Sequence, residues 1–406
     1  MRPALKAITL VAVLGLAACT SHGPSGTSSP TPDQGSQTNQ SVAPAEIGAT
    51  TTSPTPNPNP GLVVSGARLG GSGQAIVGLN GAVWLTTDAG TTWRALDPTM
   101  NPAHGYSVVD SRGSTIVALT SEGSTTETTK LVYQWSKDAG KTWSRLNLTP
   151  PRSTDNAEIA LSADGSSVAV VANTYDSKTS QFTSVIFVGP VGKDLVGRDS
   201  PLAGVPAWVG THLVLAGAEP EKSQLFVSDD RGKTWTERTE AVLMAASTDD
   251  LDSSPPPGIG VPVHSTGGAV VPVTTFVGQV PRLSLLTTTD GRTFASIFSV
   301  LLAGRGIGAL TALGSSAGPG GAVFVDFTST TLFSVSGSTV TKVETTGLPD
   351  PPAAITFSDS MHGLAVVDLS DCVKRSDGTT ECGNSPNLYR TADGGHTWVA
   401  ATRPAG

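Results

Sequence analysis

The sequence predicts an all-β chain assembled from repeated four-stranded units, and three observations carry that prediction. Glycine and proline number 46 and 29 among 406 residues, above their average shares of about 7% and 5%. With Val and Thr plentiful, such a composition favours many short strands joined by turns over a helical bundle. An octapeptide of pattern S/T-x-D-x-G-x-T-W recurs along the chain. Its copies are separated by one or two lengths of about 49 residues, close to the length of a four-stranded repeat. The formal charge of −8 excludes a basic footprint for nucleic acid. Three cysteines and six histidines leave little material for a protein-built metal centre, and no cofactor is expected.

The elements are justified in chain order. Arg2 and Lys6 precede an apolar run, Ala7 to Ala18, broken only by Thr9. That run is too short to span a bilayer, which needs roughly 20 residues, but it suits a secretory signal. It ends in Leu16-Ala17-Ala18-Cys19, which resembles the lipobox of bacterial lipoproteins. The resemblance implies a signal peptide over 1–18 and a diacylglyceryl group on Cys19, with fatty chains such as palmitate. It implies an exported protein anchored to the outer face of the cell membrane. Residues 20–60 hold 15 Ser or Thr and eight Pro, with no aromatic residue, Lys or Arg. Such a stretch buries too little apolar surface to offset its chain entropy, so residues 19–60 read as a lipidated cysteine plus a disordered tether. Within it, Ser53 to Pro60 is expected to extend as polyproline II at ~3.1 Å per residue.

Residues 61–406 contain the repeats. The full copies are Thr86 to Trp93, Ser136 to Trp143, Ser228 to Trp235 and Thr391 to Trp398, with a shortened copy from Thr288 to Phe294. This is the Asp-box, or BNR repeat, and the segment resembles sialidase-like β-propellers. The residues explain a turn: the carboxylates of Asp88, Asp138, Asp230, Asp290 and Asp393 accept backbone N–H bonds, as Asx-turns do. Gly90, Gly140, Gly232 and Gly395 supply positive φ. Trp93, Trp143, Trp235, Phe294 and Trp398 return to the interior at the start of the next strand. Each box is therefore read as the hairpin between the third and fourth strands of a blade. The competing reading, five Asp side chains as metal or catalytic sites, is set against the family's placement of these turns on the outer rim.

Two long intervals between boxes each hold a strand pair with a box-less turn, around Ser184 to Val196 and Thr331 to Val343. Counting them predicts a seven-bladed propeller of four-stranded antiparallel blades, with the region 241–281 irregular. The segment Ala354 to Val367 resembles repeats of the photosystem II assembly factor (Ycf48-like) and related bacterial propellers, which are non-enzymatic scaffolds. An insertion from Asp368 to Asn387 carries Cys372 and Cys382, with nine residues and Gly378 between them. In an exported protein this pair is expected to form a disulfide.

Candidate binding residues lie in the connections between second and third strands, which such propellers gather on one face. They are Ser121 to Lys130, Asn173 to Gln181, Gly217 to Gln224 and Asp368 to Asn387, longer than the usual two to five residues. They carry Glu122, Glu127, Tyr175, Asp176, Glu219, Glu221, Lys374 and Arg375. Long loops on a rigid scaffold favour recognition of a partner. The expected function is non-catalytic binding or scaffolding, as a monomer, for an envelope protein or a glycan. The alternative is an exo-glycosidase of the sialidase type with a diverged site. Resembling enzymes use three arginines, a Tyr–Glu pair and an Arg-Ile-Pro signature. No such tripeptide occurs here. Tyr133 and Tyr389 enter boxes, which leaves Tyr106 and Tyr175 as nucleophile candidates. Gly314 to Gly318 satisfies G-x-S-x-G, but Pro319-Gly320-Gly321 follows where a nucleophile elbow needs a helix.

Overall fold

Short apolar runs punctuated by glycine turns pair along their length as antiparallel hairpins, giving a β-propeller. The computed structural model describes residues 63–65, 75–79, 82–96, 107–122, 130–150, 154, 156–176, 181–219, 222–246, 257–265, 268–278, 280–302, 314–318, 321–325, 331–349, 352, 354–357, 359–374 and 380–402. Cys19, the tether, Tyr106, Glu127, Glu221 and Arg375 lie outside the described residues.

The first sheet is β1 (Val63–Ser65), β2 (Ala75–Leu79), β3 (Ala82–Thr86) and β4 (Arg94–Ala95). The second is β5 (Ser107–Arg112), β6 (Thr115–Glu122), β7 (Lys130–Ser136) and β8 (Ser144–Leu148). The third is β9 (Asn156–Leu161), β10 (Ser167–Asp176), β11 (Gln181–Pro190) and β12 (Val196–Asp199). The fourth is β13 (Val205–Val209), β14 (His212–Glu219), β15 (Lys222–Ser228) and β16 (Thr236–Glu237), followed by helix α1 (Thr239–Ala246). Next come β17 (Gly258–Ile259), β18 (Val263–Ser265), β19 (Gly268–Val277), β20 (Val280–Thr288) and β21 (Ala295–Leu301). Then follow β22 (Gly314–Gly318), β23 (Gly321–Val325), β24 (Leu332–Ser336) and β25 (Thr339–Val343). The last sheet is β26 (Ala354–Phe357), β27 (Gly363–Lys374), β28 (Thr380–Thr391) and β29 (Val399–Ala400).

Two expectations are corrected here. Six sheets, not seven, are four-stranded; the sheet of β17–β21 has five strands, because β17 and β18 both pair β19. The interruption is Gly260-Val261-Pro262, where proline has no N–H to give the ladder. The irregular region also holds α1, so the chain is not purely β. Val242 and Ala246 of this helix are buried against the fourth and fifth sheets. Among the described residues no helix is long and apolar enough to cross a membrane.

First strands of consecutive sheets are neighbours: β1 beside β5, β5 beside β9, β9 beside β13, β13 beside β18, β18 beside β22 and β22 beside β26. β26 returns to β1, so the sheets encircle an axis. Middle strands are packed on both faces and read as continuous apolar runs, as in Val168 to Ala172 and Leu213 to Ala216. Fourth strands face solvent and carry polar residues, including Arg94 and Arg145.

Each interface between neighbouring sheets has its own apolar core. Val108, Leu119 and Tyr133 meet Ile159 and Val170 between the second and third sheets. Ala169 and Ile186 meet Trp208 and Leu213 between the third and fourth. Ring closure uses the same device: Ala75 and Val77 of the first sheet pack on Leu364, Val366 and Leu388 of the last. Trp93 Nε1 donates to Thr402 O at 2.7 Å. Every described sheet is made of strands consecutive in the chain, so side chains rather than a shared strand join the ends.

Candidate binding face

The Asp-boxes occupy the turns from third to fourth strands, and their polar groups are spent locally. Asp88 Oδ1 accepts from Thr91 N at 3.1 Å and Thr92 N at 2.8 Å, while Thr92 Oγ1 donates to Oδ2 at 2.6 Å. Thr86 Oγ1 donates to Asp88 Oδ1 and accepts from Gly90 N, both at 2.8 Å. Asp138, Asp230, Asp290 and Asp393 accept the equivalent backbone bonds. The bonds from Thr92 hold Asp88 down at about 2, and those from Thr142 do the same for Asp138. Desolvation opposes the shift most at Asp290, yet the N–H groups of Thr293 and Arg292 still bring it to about 2. Among the described residues no group of three or more His, Cys, Asp or Glu side chains is placed to hold a metal.

Each box also joins two sheets. A Cβ on Gly140 would lie 2.8 Å from Leu96 of the preceding sheet, and one on Gly395 would lie 2.7 Å from Leu332. The box aromatic follows the glycine into the same seam: Trp143 packs against Ile76 and Leu85, Trp235 and Phe294 into the next two seams, and Trp398 against Leu332 and Phe357. Asp229 adds an outer tie, accepting from the Arg292 guanidinium of the next sheet while its Oδ1 lies 2.6 Å from His212 Nδ1. Arg292 first and His212 second lower the Asp229 carboxyl. His362 is a turn residue, its Nδ1 3.0 Å from Asp359.

The opposite face bears the hairpins from second to third strands. What reads as loops in the sequence is largely strand: Asn173 to Asp176 belong to β10, Gly217 to Glu219 to β14, and Asp368 to Lys374 to β27. Antiparallel ladders continue past the point where the first strand ends, since backbone N–H and C=O groups need partners. β26 pairs β27 only as far as Val366, whereas β27 pairs β28 out to Lys374 opposite Thr380. The last sheet therefore projects a two-stranded arm, in which Cys372 stands opposite Cys382. Glu122 pairs Lys130 at the tip of β6, Tyr175 and Asp176 end β10, and Glu219 pairs Lys222. These tips belong to four different sheets; nothing brings them together as one cluster.

The sequence reading passed over the inner strand β9. Asn156 and Glu158 stand there at alternate positions, and Asn156 bonds Glu158. Glu158 is partly exposed yet densely surrounded, and desolvation pushes its carboxyl up to about 7. Polar residues alternating with Ala157 and Ile159 on a first strand were the signal that could have found them. Arg112 is the one arginine on a first strand among the described residues. It lies 2.7 Å from Asp110 Oδ1, whose Oδ2 accepts from Leu161 N of the third sheet at 2.8 Å. Arg94 and Arg145 stand on fourth strands and Arg238 just after one, away from the axis.

The fold and box geometry define a propeller with BNR repeats. The model of the BNR/Asp-box repeat matches residues 226–237. No curated protein matches the chain in sequence. Among solved structures, the chain is similar to the acylaminoacyl peptidase of Pyrococcus horikoshii, at 11% identity and TM-score 0.48 over 85% of this chain and 53% of that one. The chain thus spans about half of that peptidase's length. The periplasmic gluconolactonase of Pseudomonas aeruginosa matches at 11% identity and TM-score 0.45, over 84% of this chain and 99% of that one. The Aleuria aurantia lectin matches at 13% identity and TM-score 0.39, over 71% and 94%.

Proposed function

We propose that this chain is an exported, lipid-anchored binding module that recognises an envelope protein or a glycan through its hairpin face. The observation that carries the reading is the β27–β28 arm, which extends beyond the sheet body and has no structural duty in the ring. The lipobox-like Leu16 to Cys19 supports anchoring through Cys19, and the Ser/Thr/Pro-rich tether supplies reach from the membrane. The Ycf48-like segment, now seen as β26 and the start of β27, supports scaffolding rather than turnover.

A two-stranded ribbon is marginal in water by itself. Register partners in an antiparallel pair have Cα atoms about 4.5–5.5 Å apart, within disulfide range. A Cys372–Cys382 bond would therefore staple the arm, and peptide mapping without reductant tests it.

The functional test is cross-linking on intact cells, comparing the wild-type chain with one whose residues 370–384 are replaced by a short Gly-Ser turn. A partner recovered only with the intact arm supports the reading. Identical recovery from both chains removes the arm from it. Turnover of a fluorogenic sialoside that is lost in Tyr175→Phe would replace binding with glycoside hydrolysis.

A further inference from the structure

Thr154 precedes β9 by two residues, and Thr154, Asn156 and Glu158 stand at alternate positions along the strand direction. The intervening Ala157, Ile159 and Leu161 belong to the core shared with the second sheet. Ala160, in phase with Glu158, belongs to the core shared with the fourth sheet, where Trp208 Nε1 donates to its carbonyl at 3.2 Å. The polar row therefore continues that second seam beside the axis towards the hairpin face, beyond the point where its apolar residues stop.

The row is unfinished. Thr154 Oγ1 and Asn156 Oδ1 are both buried without a hydrogen-bond partner. Buried polar atoms in native folds are satisfied in the great majority of cases, so two adjacent exceptions point to groups supplied from outside. Across the sheet, Asn173 lies opposite Asn156, and its Oδ1 accepts from Ser184 Oγ at 2.7 Å. Tyr175 and Phe182 are register partners one step nearer the hairpin tip, at positions on the same face of the sheet.

We propose that this row is a sugar subsite that takes a neutral pyranose ring of a cell-wall glycan. Ring hydroxyls donate to Asn156 Oδ1 and to the Glu158 carboxyl, and accept from Thr154 Oγ1. Successive members of the row are roughly 6–7 Å apart along the strand, too spread to enclose one metal ion but suited to hydroxyls set around a ring. Tyr175 and Phe182 supply the residue type on which the apolar face of a sugar packs. The inference rests on the binding-module reading and names its ligand class.

The test is calorimetric titration of the full chain in detergent with cellotetraose, chitotetraose and sialyllactose. Saturable binding of a neutral oligosaccharide is expected, weakened about tenfold or more in Thr154→Val and in Asn156→Leu, the loss of one hydrogen bond each. Thr154→Val deletes an unpaired hydroxyl at nearly constant shape, so its Tm should hold or rise, which keeps the binding readout interpretable. Arg292→Ala, on the box face, should bind as wild type does. No binding of any of the three sugars, or binding unchanged in both row variants, overturns the subsite. If the titration fails while arm exchange still abolishes partner recovery, the subsite falls and the binding-module reading stands. Glycan binding that depends on Thr154 but not on the arm retains the subsite and discards the arm.

Discussion

At the scale of single residues, two sets of carboxyls pull stability in opposite directions with pH. The box aspartates sit at about 2 against an ordinary 3.8. Their stabilisation is complete above the unfolded value and is lost as pH falls through about 2. Glu158 has the reverse sign, at about 7 against an ordinary 4.5. Its contribution is complete below 4.5 and is lost as pH rises through about 7. Wild-type stability in urea should therefore decline between these two values. Glu158→Gln should flatten that limb and gain up to about 3 kcal/mol at pH 8. Backbone strain offers a second handle. Ala139 holds φ 58° in a turn where the last box has Gly394 at φ 75°. Ala139→Gly should then stabilise by up to about 1 kcal/mol in the same unfolding measurement, the relief of strain exceeding the added chain entropy.

At the scale of elements, the Asp-box is a turn and a wedge together. Its carboxylate closes the turn while its glycine and aromatic ring enter the seam with the preceding sheet. Trp398 is 2% exposed, donates Nε1 to Gly395 O at 2.9 Å and meets Phe357 edge-on at 5.9 Å. Trp398→Ala should cost about 3–5 kcal/mol, as core Trp truncations do. Trp143, only partly buried at its seam, should cost less in the same thermal comparison. The box was legible because its bonds are local: Thr86, Asp88, Gly90 and Thr92 all act within a few residues. The hairpin arms were not, because strand and loop differ there only by whether a distant partner continues the ladder. β27 and β28 contain Ser370, Asp371, Gly383 and Asn384, residues of turn-like character that pairing holds as strand.

At the scale of the whole molecule, closure depends on the final residues. Ala401 packs in the seam between last and first sheets, Ala401 N donates to Leu388 O at 2.8 Å, and Thr402 O receives Trp93. A chain ending at residue 396 should lose β29 and Trp398 and open at this seam. Amides of β2 and β3 should then exchange faster than those of β10 and β14, as measured by hydrogen exchange with mass spectrometry. Equal exchange in all four strands would show that closure does not depend on this end of the chain.

Local chemistry in the sequence by itself determined the repeat, the turn inside each box, the inward aromatic and the strands that enter it. These depend on contacts within about ten residues, and composition and spacing report such contacts directly. Only the tertiary structure decided the five-stranded sheet, helix α1, the extended hairpins and the polar row Thr154–Asn156–Glu158. Each of those depends on which sheet stands across a seam. Glu158 reads as an ordinary acidic residue in the sequence; its raised carboxyl exists because other chain segments exclude water from it.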